Sequence, residues 1–129
     1  MPVTQQILIV DDDPKIRSIY RKVLEEEGFG VDEAADWRDC VDTLLHRQDI
    51  RLILLDLQMP RVDGDAIYDT VRLYNPEIRV IIASVRSLDE QKRLIIRADN
   101  YFDKSMGVDL LVRKVKQTLD APPAAASRG

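Results

Sequence analysis

The feature that most constrains the fold is a short, unbroken apolar run in the middle of the chain. Residues 52–55 read Leu-Ile-Leu-Leu and are followed directly by Asp56. A strand with one face in water alternates apolar and polar residues, but this run is apolar on both faces. It therefore predicts a central strand of a parallel sheet, at residues 51–56, covered by helices on both sides.

Strand and helix patterns alternate along the rest of the chain. Further strands are predicted at residues 5–10, 31–35, 79–83 and 100–103. Helices are predicted from Pro14 to a stop at Gly28, over the face from Trp37 to Leu45, from 65 to 74, between 87 and 96, and from 108 to 119. Five strand–helix units imply right-handed crossovers and one doubly wound parallel sheet, an α/β fold.

Local signals mark several helix ends. Short acidic residues are preferred N-caps, and Pro suits the first helical position. The predicted caps are Asp13, Asp36 and Asp63. The apolar face of the first helix is expected to comprise Ile16, Ile19, Tyr20 and Val23, and that of the second Trp37, Cys40, Val41, Leu44 and Leu45.

The length, composition and net charge limit which classes of protein this chain can belong to. A chain of 129 residues that is 45% hydrophobic has the size of one ordinary domain. We assign residues 1–120 to that domain and residues 121–129 to a disordered tail or the start of a linker. The net charge of −4 disfavours direct binding of nucleic acid or an anionic membrane. With no apolar run of spanning length and a single cysteine, the expected compartment is the cytoplasm.

Charged residues follow three of the predicted strands. Asp11, Asp12 and Asp13 come after the first strand, Asp56 after the third, and Lys104 after the fifth. Because the carboxyl ends of parallel strands meet at one edge, these side chains are expected to lie close together. Crowded carboxylates need a hard cation or an ammonium as compensation. The pattern therefore predicts a site for Mg²⁺ and a phosphoryl group.

The motifs that follow the strands resemble those of the receiver domains of two-component response regulators. The matching pieces are Val-Asp-Asp at 10–12, Leu-Asp-Leu-Gln-Met-Pro at 55–60, Asp63-Gly64, Ser84, Tyr101 and Lys104. The resemblance covers about residues 5–120. It implies a flavodoxin-like (βα)5 fold with strand order 2-1-3-4-5 and helices on both faces of the sheet.

The resemblance also implies roles for the acidic residues. Asp56 would be the phosphoacceptor, taking a phosphoryl group from a phosphohistidine on a sensor histidine kinase or phosphotransfer protein. Asp12, Asp56 and the main-chain carbonyl of Gln58 would bind Mg²⁺ directly, and Asp11 would act through a water. Mg²⁺ keeps several of its own waters, so few protein ligands are enough.

Three further residues would complete the switch. Lys104 would pair with Asp56 and then with a phosphoryl oxygen, and the Ser84 hydroxyl would bind another oxygen. Tyr101 would change rotamer with the state of the site. The implied function is a signalling switch that catalyses its own phosphorylation and dephosphorylation, acting on an output domain or protein target, and not an enzyme with an external substrate.

Two alternatives stay open at the level of sequence. A pseudo-receiver would bind a protein partner without the chemistry, and three departures from the family pattern favour it. Val85 follows Ser84 where a smaller residue is usual, Ser105 replaces a usual proline, and the stretch from Ser84 to Lys104, which includes the fourth helix, is shorter than is typical by about two residues. A phosphatase of the haloacid dehalogenase type also uses an aspartyl nucleophile after a strand. Such enzymes carry a second aspartate two residues on, where this chain has Gln58.

Overall fold

The computed structural model describes residues 5–56, 64–85, 89 and 98–121, and only the backbone of residues 64–66. Its strands are β1 (Gln6–Val10), β2 (Gly30–Ala34), β3 (Ile50–Asp56), β4 (Arg79–Ser84) and β5 (Asn100–Asp103). Its helices are α1 (Pro14–Glu26), α2 (Trp37–His46), α3 (Gly64–Tyr74) and α4 (Val108–Asp120). The helix predicted between 87 and 96 lies outside the described residues except for Asp89, as do the Asp63 cap and the tail after Ala121.

The five strands form one parallel sheet in the order β2-β1-β3-β4-β5. The predicted fold class and strand order are therefore confirmed. The apolar run lies in β3, at the centre of the sheet, and every residue from Leu52 to Asp56 is buried. Because both faces of β3 are covered by helices, neither needs polar side chains.

Two apolar layers hold the helices against the sheet. Alternate residues of each strand point to opposite faces, so each layer takes every second residue. One layer joins the sheet to α2 and α3 and includes Val10, Cys40, Leu44, Ile53, Leu55, Ile67, Val71, Val80 and Ile82. The other joins it to α1 and α4 and includes Ile9, Tyr20, Leu24, Leu52, Leu54, Ile81, Phe102, Leu111 and Val115.

The described helix ends agree with the local signals. The Asp13 carboxylate accepts the Lys15 N–H at 2.9 Å, and the Asp36 carboxylate accepts the Asp39 N–H at 2.8 Å. Gly28 has a φ of 93°, a conformation that costs glycine little because it has no Cβ. It follows α1 as the predicted stop.

The apolar faces of α1 and α2 are narrower than predicted. Ile19 is 50% exposed and Leu45 is 61% exposed, so their assignment to the buried faces was wrong. Ile19 directly precedes buried Tyr20, and Leu45 directly follows buried Leu44. Neighbouring residues of a helix point about 100° apart around its axis, so Ile19 and Leu45 point away from the sheet. Cys40 is fully buried as predicted, and burial raises the pKa of its thiol to about 12. No helix within the described ranges is long and apolar enough to cross a bilayer.

A buried carboxylate ties the segment before β5 to its neighbours. The Asp99 carboxylate accepts the Val80 N–H at 2.7 Å and lies 3.4 Å from the Arg72 guanidinium. Its own N–H donates to the Val80 carbonyl at 2.9 Å. The guanidinium of Arg72 stacks over the Tyr68 ring, with its carbon 4.6 Å from the ring centroid. Asp99 therefore links β4, α3 and the start of β5.

The end of α4 is fixed at the amino edge of the sheet. Arg79, the first residue of β4, donates to the Ala121 carbonyl at 3.0 Å and to the Glu77 carbonyl at 2.9 Å. The Arg79 side chain thus crosses from the sheet to the last turn of the helix. This edge is opposite to the one at which Asp56 ends β3.

Candidate functional site

The register of the central strands brings Asp11 and Asp56 to the same level. Val10 of β1 pairs with Leu55 of β3, so the next residue of each strand is an aspartate. Both carboxylates are almost fully buried, with residue exposures of 3% each. The convergence expected from the sequence is therefore present at the carboxyl edge of the sheet.

The two strands on the other side of β3 end at the same edge. Asp56 pairs with Ala83, and the following residue, Ser84, pairs with Asp103 of β5. Lys104 comes directly after Asp103, and its N–H donates to the Ser84 carbonyl at 2.7 Å. Four adjacent strands thus contribute to one site.

Three carboxylates surround one point at this edge. One oxygen each from Asp11, Asp12 and Asp56 lies within 4.8 Å of the other two. Asp12 is exposed, whereas Asp11 and Asp56 are buried. Oxygen ligands of this kind suit a hard divalent cation such as Mg²⁺, which takes few carboxylates and retains water. The donor set therefore fits the predicted cation; Gln58 lies outside the described residues.

Lys104 joins two of these carboxylates. Its Nζ lies 2.7 Å from Asp11 Oδ2 and 3.2 Å from Asp56 Oδ1. Burial alone would lower the pKa of Lys104, but the hydrogen bond with Asp11 and the charge of Asp56 outweigh it, and the pKa is raised. The ammonium therefore stays protonated at neutral pH and offsets part of the negative charge of the cluster.

Asp11 is held by contacts at every polar group. Its N–H donates to the Ala34 carbonyl at 3.1 Å, and its own carbonyl accepts from Arg17 Nη1 at 2.7 Å. One carboxylate oxygen accepts the Asp13 N–H at 2.9 Å, and the other accepts from Lys104. Because both carboxylate oxygens already have protein partners, Asp11 is placed to shape the site while Asp12 faces the solvent.

The sequence interpretation missed Arg17 and its partner Glu33. Arg17 Nε donates to Glu33 Oε1 at 3.0 Å, and Arg21 Nη1 donates to Glu33 Oε2 at 2.9 Å. These hydrogen bonds, the one from Arg21 first, lower the pKa of Glu33 against the opposing effect of its partial burial. A signal was available: helical side chains lean toward the N-terminus, so an arginine one turn into α1 points at the acidic loop.

Tyr20 is a buried residue of α1 on which the charges of the site act. Its ring meets the Phe102 ring edge to face, at a centroid distance of 6.3 Å and an angle of 77°. Burial raises the pKa of Tyr20, and the charges of Lys104, Asp11 and Asp56 also act on it. A neutral phenol thus lies within electrostatic reach of the site. The sequence interpretation assigned Tyr20 only to the core.

The predicted switch residues lie in β4 and β5. Ser84 is fully buried at the end of β4 and continues the alternation of Val80 and Ile82, which pack toward α2 and α3. Tyr101 is half-buried and packs against that same apolar layer. Its carbonyl accepts a hydrogen bond from Lys114.

Two departures from the family pattern, Val85 and Ser105, have defined surroundings, whereas the shortened fourth-helix region lies outside the described residues except for Asp89. Val85 is 60% exposed, directly after Ser84. The N–H and hydroxyl of Ser105 both donate to one carboxylate oxygen of Asp103, at 2.9 and 2.7 Å. These bonds lower the pKa of Asp103. Every peptide bond in the described ranges is trans, and the turn around Lys104 is closed by hydrogen bonds.

Comparison with known proteins agrees with this arrangement. Residues 7–116 match the family of response regulator receiver domains. The chain belongs to that family. As a receiver domain it gives no support to the haloacid dehalogenase alternative, which Gln58 had already weakened.

Individual relatives share both the sequence and the fold of this receiver domain. Transcriptional regulatory protein CpxR of Escherichia coli K12 is 32% identical over 115 residues, which are 88% of this chain and 49% of CpxR. The chain thus spans about half the length of the curated relatives it matches. A CheY-like receiver domain protein from Methanospirillum hungatei JF-1 is 27% identical with a TM-score of 0.80, covering 92% of this chain and 95% of that one.

One solved relative was determined with ligands. Response regulator protein TrrA from Thermotoga maritima, in complex with Mg²⁺ and BeF, is 29% identical with a TM-score of 0.78. The match covers 89% of this chain and 99% of TrrA.

Proposed function

We propose that this receiver domain accepts a phosphoryl group on Asp56 from a phosphohistidine of a sensor histidine kinase or phosphotransfer protein. The observation that carries the proposal is the position of the Asp56 carboxylate, within 4.8 Å of the other two carboxylates and 3.2 Å from the Lys104 ammonium. This arrangement combines a nucleophile with the groups that neutralise charge around it. Phosphoryl transfer depends mainly on positioning and charge neutralisation.

The transfer itself needs one nucleophile. A carboxylate oxygen of Asp56 forms a bond to phosphorus while the bond from phosphorus to the donor imidazole nitrogen breaks. The electron pair of that bond returns to the imidazole, and Asp56 becomes a mixed anhydride of carboxylic and phosphoric acid. When bound, Mg²⁺ supplies charge neutralisation for the phosphoryl oxygens; Asp12 and Asp56, with the Gln58 carbonyl, are the groups that would hold it. The solved complex of TrrA with Mg²⁺ and BeF supports the binding of Mg²⁺ by a domain of this kind.

Lys104 serves both states of the site. Before transfer its ammonium offsets the charge of Asp56, and afterwards it can bind a phosphoryl oxygen without leaving Asp11. Burial of Asp11 and Asp56 keeps the surrounding dielectric low, which strengthens these interactions. The same groups would let the domain catalyse both its phosphorylation and its dephosphorylation.

The charge of the phosphoryl group provides the signal. Phosphorylation adds close to two negative charges at neutral pH, and the Ser84 hydroxyl is the donor expected to bind one of the new oxygens. Ser84 follows Val80 and Ile82 at alternate positions of β4, and Tyr101 of β5 pairs with Ile82 and packs against the same apolar layer, so movement of Ser84 would alter the space beside the tyrosine ring. The shape of the surface around Tyr101 would then change with the state of Asp56.

An output domain or separate protein would read that surface. Because CpxR is about twice as long as this chain and is a transcriptional regulator, regulation of transcription is one candidate output. The net charge of −4 argues against DNA binding by the receiver domain itself. The retained acidic cluster and Lys104 give no support to the pseudo-receiver alternative.

Intact mass spectrometry after incubation with acetyl phosphate and Mg²⁺ tests the proposal. The wild-type chain should gain one phosphoryl group, and Asp56→Asn should gain none. Asp69→Asn is the matched control, because Asp69 is an exposed aspartate on α3. Addition that persists in Asp56→Asn would refute the assignment, as would a wild-type chain that binds Mg²⁺ but gains no phosphoryl group from acetyl phosphate or from a phosphorylated kinase.

A further inference from the structure

Arg17 connects the acidic loop to two secondary-structure elements. From α1 its guanidinium reaches the Asp11 carbonyl at 2.7 Å, and it also contacts Glu33 of β2 at 3.0 Å. The Arg17 side chain is only 17% exposed and the Glu33 side chain 27%. A planar guanidinium can hold two acceptors in a fixed relation, which a lysine ammonium does less well.

The contact with the Asp11 carbonyl also determines the orientation of Asp12. The carbonyl of Asp11 and the N–H of Asp12 belong to one peptide unit, which is planar. Holding the carbonyl therefore holds the Cα of Asp12 as well. Asp12 is exposed, whereas Asp11 is buried. The orientation of the Asp12 carboxylate is therefore set by the backbone of Asp12 more than by packing of its side chain.

The position of Arg17 is unfavourable without a partner. A cation near the N-terminus of a helix opposes the helix dipole. Glu33 compensates for this by accepting hydrogen bonds from Arg17 and from Arg21, one turn further along α1. Of these two arginines, Arg17 also donates to the Asp11 carbonyl in the acidic loop. The Arg21 side chain is more exposed, at 42%.

We propose that Arg17, anchored by Glu33, is a positioning residue that orients the Asp11–Asp12 peptide for binding of the divalent cation by Asp12. This inference rests on the proposed function, because it concerns the same cation site. Groups that orient metal ligands typically change metal affinity by roughly 10- to 100-fold when they are removed.

Charge and orientation predict opposite effects for Arg17→Ala. Removing a positive charge close to an acidic cluster would strengthen binding of a cation, if charge were the dominant effect. Losing the orientation of the Asp11–Asp12 peptide would weaken it. The sign of the change therefore separates the two explanations.

Mg²⁺ titration of the full chain, followed by NMR of the Asp11, Asp12 and Asp56 amides, tests the proposal. We expect Arg17→Ala to weaken Mg²⁺ binding by about tenfold and to shift the Asp12 amide before any Mg²⁺ is added. Arg21→Ala is the matched control, since it removes an equal charge and another Glu33 contact but leaves the Asp11 carbonyl bound. It should bind Mg²⁺ as the wild type does.

Arg17→Lys separates geometry from charge and also serves if the alanine variant does not fold. It keeps the positive charge but offers one ammonium in place of the planar fork, so we expect weakened binding here too. Wild-type affinity in Arg17→Lys, or unchanged or tighter binding in a folded Arg17→Ala, would overturn the positioning role. A wild-type chain without a Mg²⁺ response would instead overturn the metal site of the proposed function.

Discussion

Lys104 and Asp11, 93 positions apart in the sequence, form an ion pair of 2.7 Å between Nζ and Oδ2. The shorter of the two contacts of the Lys104 ammonium, 2.7 Å against 3.2 Å to Asp56, is thus made to a residue that is not the proposed phosphoacceptor. Asp11 can keep the ammonium at the site when the Asp56 carboxylate is converted to an acyl phosphate. The ion pair thereby makes Lys104 available to both states.

Replacing Lys104 should lower the free energy of unfolding, because two buried carboxylates would lose their positively charged partner. We expect Lys104→Met to destabilise the domain by about 3 kcal/mol or more without Mg²⁺, because the buried Asp11 and Asp56 lose their cation. Mg²⁺ should restore more stability to this variant than to the wild type. Urea unfolding with and without Mg²⁺ measures both effects.

A surface lysine provides the control for that experiment. Lys116 lies 3.5 Å from Glu27, but the two side chains are 51% and 40% exposed. Lys116→Met should therefore cost less than about 1 kcal/mol and show no dependence on Mg²⁺ beyond that of the wild type. Equal losses in the two variants would contradict the central role of Lys104.

Val85 is expected to restrict access to the phosphorylated site. Its branched side chain is exposed directly after Ser84, where it can obstruct an attacking water. Val85→Ala should speed the loss of the phosphoryl group. Because the side chain is 60% exposed, its truncation should change the unfolding midpoint little, in contrast to removal of a packed valine.

Two measurements separate gating by Val85 from packing. The decay of the phosphorylated state is followed by intact mass, and stability by urea unfolding. Leu73→Ala is the control, since Leu73 is an apolar residue of α3 that is 86% exposed. A decay that stays the same or slows in folded Val85→Ala would leave the valine without a gating role.

Asp99 should contribute to stability more than an exposed aspartate. We expect Asp99→Ala to cost about 2–3 kcal/mol, because the Val80 N–H and the Arg72 guanidinium both lose a buried charged partner. Asp49→Ala provides the comparison: its ion pair with Arg47 is 2.7 Å long, but its side chain is 59% exposed. Similar unfolding free energies for the two variants would show that Asp99 is not a central structural contact.

Glu33 should make stability depend on acid pH. Its pKa is lowered in the folded chain, so its ion pairs stabilise the domain above the ordinary glutamate value of 4.5 and are lost as the pH falls through the folded pKa. The loss of unfolding free energy between pH 7 and acid pH should therefore be smaller in Glu33→Gln than in the wild type. Glu26→Gln, on the exposed side of α1, is the control and should retain the wild-type dependence.

The parts of the fold that depend on local pattern could be predicted from the sequence. The caps at Asp13 and Asp36 and the central strand over 51–56 follow from neighbouring residues. The convergence of Asp11, Asp56 and Lys104 follows from one rule of parallel sheets, that their carboxyl ends share an edge. Such features need no knowledge of helix rotation or packing.

Features that depend on how elements pack could not be predicted in this way. Ile19 and Leu45 have apolar side chains at helical spacing, yet the rotation of each helix on the sheet leaves them exposed. The contact of the Asp99 carboxylate with the Val80 N–H depends on the path of the loop before β5. The sequence alone does not distinguish a charged side chain that faces water from one that binds a buried main-chain group.

The contact between Arg79 and Ala121 sets a minimum reach for any segment that follows the domain. Arg79 and Ser84 are the first and last residues of β4. At a rise of about 3.3 Å per residue, the two ends of this strand are roughly 17 Å apart. The chain leaves α4 at the Arg79 end, while Asp56 lies at the Ser84 end. A residue beyond Ala121 therefore needs at least about five extended residues before it can touch the phosphoacceptor. A partner or domain joined to α4 by a shorter segment cannot contact Asp56 directly. It can respond to phosphorylation only through structural changes that pass through the receiver domain.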